Sequence, residues 1–132
     1  MPARTPLARK LGLTAGARLH LVNSPPNYPS LIGPALADLA LAKTPSKQVD
    51  IVHLFTASRS RLSAALQSLR KRLRPDAAIW VSWPKKSSGI ASDVTENTIR
   101  ELALPLGFVD VKVCAVDETW SGLKLVVRKE LR

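Results

Sequence analysis

The run Asp50-Ile51-Val52-His53-Leu54-Phe55 decides the fold, because it is almost continuously apolar and rich in β-branched and aromatic residues. A run of this kind is typical of a strand that is buried on both faces in a parallel sheet. The residues that follow predict a helix, with Ser58 or Ser60 capping its amino end. Its apolar side chains recur at steps of three and four residues, at Leu62, Ala65, Leu66, Leu69 and Leu73. Together these residues predict a strand and an amphipathic helix that packs against it.

Strands and helices alternate on both sides of this unit. Residues 17–22 predict an earlier strand, which ends at a loop with two adjacent prolines. Residues 77–83 predict the next strand, a helix capped by Asp93 follows, and residues 108–128 predict a β-hairpin. We therefore expect an α/β fold, with a small three-layer, Rossmann-like and mostly parallel sheet of about five strands and a C-terminal antiparallel hairpin.

The length of 132 residues suits a single domain. We expect residues 1–16 to form an irregular N-terminal arm and residues 17–132 to form one α/β domain. Cys114 is the only cysteine, which excludes an internal disulfide and suits a reducing compartment. No apolar run reaches the length of about 20 residues that a membrane helix needs, and the first residues do not resemble a signal peptide. We therefore expect a cytoplasmic protein.

Positive charge is concentrated in the first half of the chain. The net charge is +10, and residues 1–75 hold twelve Lys and Arg residues against two acids. The excess peaks in the run Arg70-Lys71-Arg72-Leu73-Arg74. Such a run attracts nucleic acid or an acidic partner, so nucleic-acid binding through Arg70, Lys71, Arg72 and Arg74 is one hypothesis. The alternative is a solvated helix end, where the helix dipole favours cations.

The second half of the chain resembles the C-terminal half of the class I S-adenosylmethionine-dependent methyltransferase fold. The similarity lies in the order of elements: the strand DIVHLF, a helix ending in LRPDA, the strand AIWVSW, a helix ending in LPLGF, and a hairpin. That family carries a glycine-rich turn after its first strand and an acidic residue at the end of its second. No glycine lies between Gly16 and Gly33 here, and no second strand that ends in an acid is evident. The resemblance implies a methyltransferase-like fold, and we expect no cofactor bound in the usual way.

Nearly the full length of the chain also resembles an uncharacterised bacterial family that is described as a domain of unknown function. The similarity rests on the segments PLARKLG, VHLF, WVSWPKKSSG, TEN, IRE and LPLGFVDVKVCAVDETWSGLKLVVR. This resemblance implies no particular activity.

Unusual side chains follow the predicted strands at residues 23–28, 56–59 and 83–88, and others lie at the hairpin tip over residues 118–121. The carboxyl ends of parallel strands meet at one edge of a sheet, where such folds bind ligands, so we expect these segments to lie together. Aromatic and cationic side chains there suit an anionic or π-bearing ligand. The predicted ligand-binding residues are Asn23, Tyr28, Arg59, Trp83, Lys85, Lys86, Ser87 and Trp120. Alternatively, Trp83 and Trp120 cap the core and the lysine pair is simply solvated.

The sequence offers little support for catalysis or metal binding. His20 and His53 fall within predicted strands, where a hydrogen-bonded core histidine is the commoner role, so we predict no metal site. We also predict no catalytic residues and no cofactor. Our leading hypothesis is a non-enzymatic domain that binds an anionic small molecule or an acidic protein partner at the carboxyl-end edge of its sheet. The alternatives are a nucleic-acid-binding protein and a diverged transferase with non-standard cofactor binding.

Overall fold

The computed structural model describes residues 6–132, which form a six-stranded sheet and four α-helices. The strands are β1 (Arg18–Val22), β2 (Ala40–Ala42), β3 (Ile51–Phe55), β4 (Ala78–Pro84), β5 (Phe108–Ala115) and β6 (Trp120–Val127). The helices are α1 (Leu7–Lys10), α2 (Tyr28–Ile32), α3 (Arg59–Arg72) and α4 (Glu96–Ala103). Short 3₁₀ helices cover Gly33–Asp38, Lys86–Ser88, Leu104–Leu106 and Lys129–Leu131. The strand order across the sheet is β2-β1-β3-β4-β6-β5.

The sheet is built outward from β3, which pairs in parallel with β1 on one side and with β4 on the other. Every residue of β3 is buried, as its continuous apolar run predicts. β6 then pairs antiparallel with β4, and β5 pairs antiparallel with β6 at the edge. The α/β fold with a mostly parallel sheet and a C-terminal antiparallel hairpin is therefore confirmed.

The structure has one strand more than expected. This strand, β2, has only three residues, and it pairs in parallel with β1 at the edge of the sheet. Its central side chain, Leu41, is 57% exposed. From the sequence, residues 39–43 are ambiguous between the end of a helix and a short edge strand, because a segment this short shows no clear periodicity; the pairing with β1 makes it a strand.

Each face of the sheet buries its own apolar core, because successive side chains of a strand point to opposite faces. α3 and α4 cover one face, where Val52, Leu54, Leu66, Ile79 and Ile99 are buried. α1, α2 and the adjoining 3₁₀ helix cover the other face, where Leu11, Leu19, Tyr28, Phe55 and Trp80 are buried. None of the helices within residues 6–132 has the length and apolar character needed to cross a bilayer.

Residues 6–16 differ from the irregular arm that the sequence predicts, whereas residues 1–5 lie outside the described part of the chain. α1 forms within this segment, and Ala8, Leu11 and Leu13 are buried. The indole N–H of Trp80 donates to the carbonyl oxygen of Leu11 at 2.9 Å. The segment packs as an integral layer because it covers an apolar sheet face that would otherwise be exposed.

The amino ends of α3 and α4 are capped differently from one another. Ser58 caps α3 as predicted, since its hydroxyl accepts from the N–H of Arg61. Thr95, rather than Asp93, caps α4 and exchanges hydrogen bonds with Thr98. Asp93 instead accepts from the N–H of Arg59 in the first turn of α3, at 2.7 Å. The carboxylate is positioned by tertiary contact with the neighbouring helix, which local spacing cannot reveal.

We expect Leu11→Ala to lower the free energy of unfolding by about 2–5 kcal/mol, since a buried leucine leaves a cavity when it is truncated. Leu11 is 1% exposed, whereas Leu41 is 57% exposed, so Leu41→Ala is the matched control and should change stability by less than about 0.5 kcal/mol. Urea unfolding followed by circular dichroism measures both. If Leu11→Ala lowered the free energy of unfolding as little as Leu41→Ala does, the packing of residues 6–16 on the sheet would be contradicted.

Candidate functional site

A cleft of about 510 Å³ opens at the carboxyl ends of β1 and β3. The chain leaves β1 to form β2 on one side and then returns to form β3 on the other side. This is the switch point at which open α/β sheets bind their ligands. The cleft is lined by Asn23, Phe55, Thr56, Ala57, Ser58, Arg61, Ala91 and Trp120.

Asn23 forms one wall directly after β1. Its φ angle is 55°, in the left-handed region that asparagine tolerates better than most residues. The chain therefore turns sharply at the end of β1 without a glycine. Pro25 and Pro26 follow, and neither has a backbone N–H to offer a ligand.

The opposite wall is the connection from β3 into α3. The N–H of Ser58 donates to the hydroxyl of Thr56 at 3.1 Å, and this bond holds the turn. The Ser58 cap then fixes the first turn of α3, from which Arg61 lines the cleft. The Arg61 side chain is exposed and has no ion-pair partner within residues 6–132. Since no other charged residue among the described ones lines the cleft, its local charge is positive.

Trp120 supplies the aromatic part of the cleft and rests on a cluster of buried rings. It packs edge-on against Phe55, with ring centroids 5.1 Å apart. The His53 ring stacks on the other side of the cluster, 4.3 Å from Phe55. Tyr28 packs edge-on against both His53 and Phe55. The half-buried indole is therefore held rigidly from below.

A buried chain of hydrogen bonds runs beneath this cluster. The hydroxyl of Tyr28 lies 2.9 Å from Nδ1 of His53, and Nε2 of His53 lies 2.8 Å from the hydroxyl of Ser82. Burial lowers the pKa of His53 to about 3 and raises the pKa of Tyr28 above its usual value. Both groups are therefore neutral near pH 7. His53 has the role of a hydrogen-bonded core histidine, and Tyr28 supports the cleft from within rather than lining it.

Of the predicted ligand-binding residues, the structure brings Asn23 and Trp120 together in the cleft. Arg59 is directed to α4, where its guanidinium pairs with Glu101 at 3.0 Å. Trp83 packs against the core beneath α3 and α4, whereas Trp120 packs against the core on the other face. The reason is the register: Trp83 pairs with Ser121, and Trp120 pairs with Pro84, so strand alternation sends the two indoles to opposite faces.

The lysine pair lies away from the cleft. The ammonium group of Lys85 donates to the carbonyl oxygen of Asp117 at 2.6 Å and so holds the hairpin tip. Lys85 also borders a second cavity of about 480 Å³ between α1 and the hairpin, together with Lys10 and Glu118. Lys86 and Ser87 are exposed on the following 3₁₀ helix and line neither cavity.

The predicted nucleic-acid residues divide into two pairs. Arg70 is half-buried and donates to the carbonyl oxygen of Leu106 at 2.9 Å. Arg74 pairs with Asp50 and with Asp76. Lys71 and Arg72 are exposed to solvent. In the basic run, Arg70 and Arg74 therefore make contacts within the protein, whereas Lys71 and Arg72 are available to a partner.

Asp50 is held ionised beside this run. The backbone N–H of Arg18 and the guanidinium of Arg74 donate to its carboxylate and keep the pKa of Asp50 below its ordinary value. The carboxylate therefore links the start of β1 to the end of α3.

Metal-binding side chains and the single cysteine are the other potentially reactive groups. Within residues 6–132 no cluster of three or more His, Cys, Asp or Glu side chains could hold a metal ion. Cys114 is half-buried, and burial raises the pKa of its thiol, so the thiol is protonated near pH 7.

Sequence reasoning missed Arg61 and Thr56 as parts of the cleft. The only available signal is the Ser58 cap, which places the first turn of α3 next to the carboxyl end of β3. That signal favours Arg59 and Arg61 equally. Glu101, on a helix far along the chain, is what turns Arg59 away.

Known proteins match this chain in structure and not in sequence. No protein-family model and no curated protein matches it. A SAM-dependent methyltransferase from Aquifex aeolicus matches with a TM-score of 0.67 and 13% identity over 92% of this chain and 88% of that chain. A precorrin-6Y C5,15-methyltransferase from Geobacter metallireducens matches with a TM-score of 0.59 and 10% identity over 92% and 86%. A ribosomal protein L11 methylase from Lactobacillus delbrueckii subsp. bulgaricus matches with a TM-score of 0.58 and 12% identity over 92% and 77%.

Identities this low show the fold alone. They confirm that the chain has the methyltransferase-like α/β fold that its second half predicts. The resemblance to the bacterial family of unknown function stays a prediction.

We expect burial of neutral His53 to make stability depend on pH below about 6.5. Below this pH, His53 is protonated in the unfolded chain but stays neutral in the folded protein. The free energy of unfolding therefore falls by about 1.4 kcal/mol for each unit by which the pH is lowered, until the pH reaches the pKa of folded His53. His53→Gln should therefore shrink the loss of stability between about pH 7 and about pH 5 by about 2 kcal/mol. Urea unfolding at the two pH values measures this loss.

Ser82→Ala serves as the control, because it removes a hydrogen bond to His53 and leaves the imidazole buried. Its dependence on pH should match that of the wild type. An unchanged dependence in His53→Gln would show that other groups cause it.

Proposed function

We propose that this protein is a diverged transferase of the methyltransferase fold that binds a small, anionic, nucleoside-type ligand in a non-standard way. The observation that carries the proposal is the open cleft at the β1/β3 switch point, which Arg61 and Trp120 both line. Its volume of about 510 Å³ suits a small molecule.

An anionic group on the ligand is favoured by the charge of the cleft. Arg61 is the only charged residue that lines it in the part of the chain that the structure describes. The guanidinium has no internal ion-pair partner within residues 6–132, so it is free to form a charge-assisted hydrogen bond with a carboxylate or a phosphate. The hydroxyl of Ser58 and the amide of Asn23 add neutral polar groups nearby.

A planar group on the ligand is favoured by Trp120. An indole that is already held by Phe55 loses little conformational freedom when a flat ring packs on it. A nucleoside base provides such a ring. A ligand that joins a base to an anionic group would therefore use both ends of the cleft.

The ligand would be held differently from the cofactor in the family that the fold resembles. The turn after β1 has no glycine, and its two prolines remove backbone donors at that wall. β2 is followed by Lys43 rather than by an acid. These residues do not fit S-adenosylmethionine in its usual mode. Recognition would instead come from the α3 side, through Arg61.

Support for a transferase comes from the fold neighbours. They include methyltransferases named for a precorrin and for ribosomal protein L11. They share with this chain the α/β sheet, and in this chain the cleft lies at the carboxyl-end edge of that sheet.

Isothermal titration calorimetry with S-adenosylmethionine, S-adenosylhomocysteine, ATP and NADP⁺ tests the proposal. We expect at least one of them to bind and to change the tryptophan fluorescence of the protein. Arg61→Gln should weaken that binding at least about tenfold, since a hydrogen bond to a charged group contributes about 1.5–3 kcal/mol. Arg59→Gln is the matched control, because Arg59 lies two residues away and pairs with Glu101.

Two results would overturn this proposal. One is the absence of binding by all four compounds. The other is equal weakening by both arginine variants, which would mean that general positive charge, and not the cleft, attracts the ligand.

A second candidate function is ligand binding without a reaction. It is favoured because no carboxylate, histidine or cysteine lines the cleft within the described residues. Incubation with S-adenosylmethionine that carries a tritiated methyl group, in a cell extract, separates the two candidates. A transferase would incorporate tritium, and Arg61→Gln would reduce it. Binding with no incorporation would support the second candidate.

A further inference from the structure

The edge of the sheet opposite the cleft collects positive charge from distant parts of the chain. The parallel strands β1, β3 and β4 begin at this edge, and β6 ends there because it runs antiparallel to β4. α3 runs from the cleft to the same edge and ends in the basic run. The sequence pattern reveals only that run, whereas the topology adds charges from three other segments.

The C-terminal segment is brought beside the end of α3 by a set of close contacts. Arg70 donates to the carbonyl oxygen of Leu106 at 2.9 Å. The N–H of Arg128 donates to the carbonyl oxygen of Gly107 at 2.9 Å. A Cβ at Gly107 would lie 2.7 Å from Leu131 and 3.6 Å from Nε of Arg70, so the three residues pack together. Arg128 and Lys129 therefore extend the basic run.

The loop before β3 is attached on the other side of α3. The ammonium group of Lys47 donates to the carbonyl oxygens of Lys71 and Leu73, each at 3.1 Å. Arg74 donates to the carbonyl oxygen of Val49 at 3.1 Å and pairs with Asp50. These bonds use backbone acceptors for Lys47, so its positive charge is not neutralised.

Besides Arg132, whose guanidinium donates to the carbonyl oxygen of Val127, six basic side chains at this edge are exposed and have no ion-pair partner within residues 6–132. They form what we call the basic face: Arg18, Lys47, Lys71, Arg72, Arg128 and Lys129. Of the acids at the same edge, Asp50 and Asp76 pair with Arg74. Asp38 and Glu130 remain, so the basic face keeps a clear positive excess.

We infer that the basic face binds the phosphate backbone of duplex nucleic acid independently of base sequence. Lysine and arginine side chains spread over several segments match the repeated charges of a backbone. Among the described residues, no exposed aromatic side chain lies at this edge: Phe108 is buried, and Trp83 and Trp120 lie toward the opposite end of their strands, which disfavours a single strand held by base stacking. A protein partner would call for an apolar or aromatic centre, whereas in the described part of the chain the exposed apolar side chain beside the basic face is the single residue Leu131.

Fluorescence anisotropy with a labelled DNA duplex of about 20 base pairs, over a range of potassium chloride concentrations, tests the inference. We expect binding at low salt whose logarithmic affinity falls linearly with the logarithm of salt concentration. The double variants Lys71→Gln/Arg72→Gln and Arg128→Gln/Lys129→Gln should each reduce the slope by about 1.8, the value for two lost phosphate contacts.

The matched control is Lys43→Gln/Lys86→Gln, which removes the same charge from exposed residues at the carboxyl-end edge. Its slope should equal that of the wild type. Equal effects of all three double variants would overturn the inference in favour of general charge, and so would the absence of binding at low salt. Tighter binding to polyglutamate than to the duplex would indicate an acidic protein partner instead and would also overturn it.

Discussion

The parallel pairing of β3 with both β1 and β4 is the constraint on which the rest of the structure depends. A strand with every residue buried can exist only if both faces of the sheet are covered. α3 and α4 meet this requirement on one face, and residues 6–16 with α2 meet it on the other. The same pairing aligns the carboxyl ends of β1 and β3, and so it creates the edge where the cleft opens.

Strand alternation decides which side chains can act together at that edge. Trp83 and Trp120 lie on neighbouring strands, yet the register between β4 and β6 sends them to opposite faces. Trp120 is held at the cleft because its indole packs on Phe55, which in turn packs on His53 and Tyr28; these three rings form a rigid floor beneath the indole. Burial keeps His53 and Tyr28 neutral, so this floor is a support that does not exchange protons with a ligand near pH 7.

α3 connects the two ends of the molecule. Its amino end is fixed by Ser58 and by the carboxylate of Asp93, and it holds Arg61 at the cleft. Its carboxyl end is fixed by Lys47, which caps the last carbonyl groups, and there Lys71 and Arg72 are left open to solvent. A single amphipathic helix therefore positions a cation for a small ligand at one edge and a group of cations at the other.

The sequence by itself determined the α/β alternation, the buried strand at residues 51–55, a serine cap at residue 58 or 60 and the terminal hairpin, because each is a local pattern of periodicity or turn chemistry. Only the tertiary structure decided that residues 6–16 form a layer, that Asp93 serves α3, and that Arg61 rather than Arg59 lines the cleft. Each of these outcomes depends on a partner far along the chain: Trp80 for Leu11, the N–H of Arg59 for Asp93, and Glu101 for Arg59. Contacts of this kind arise when helices and strands distant in the sequence pack together, so the spacing of residues within one segment cannot predict them.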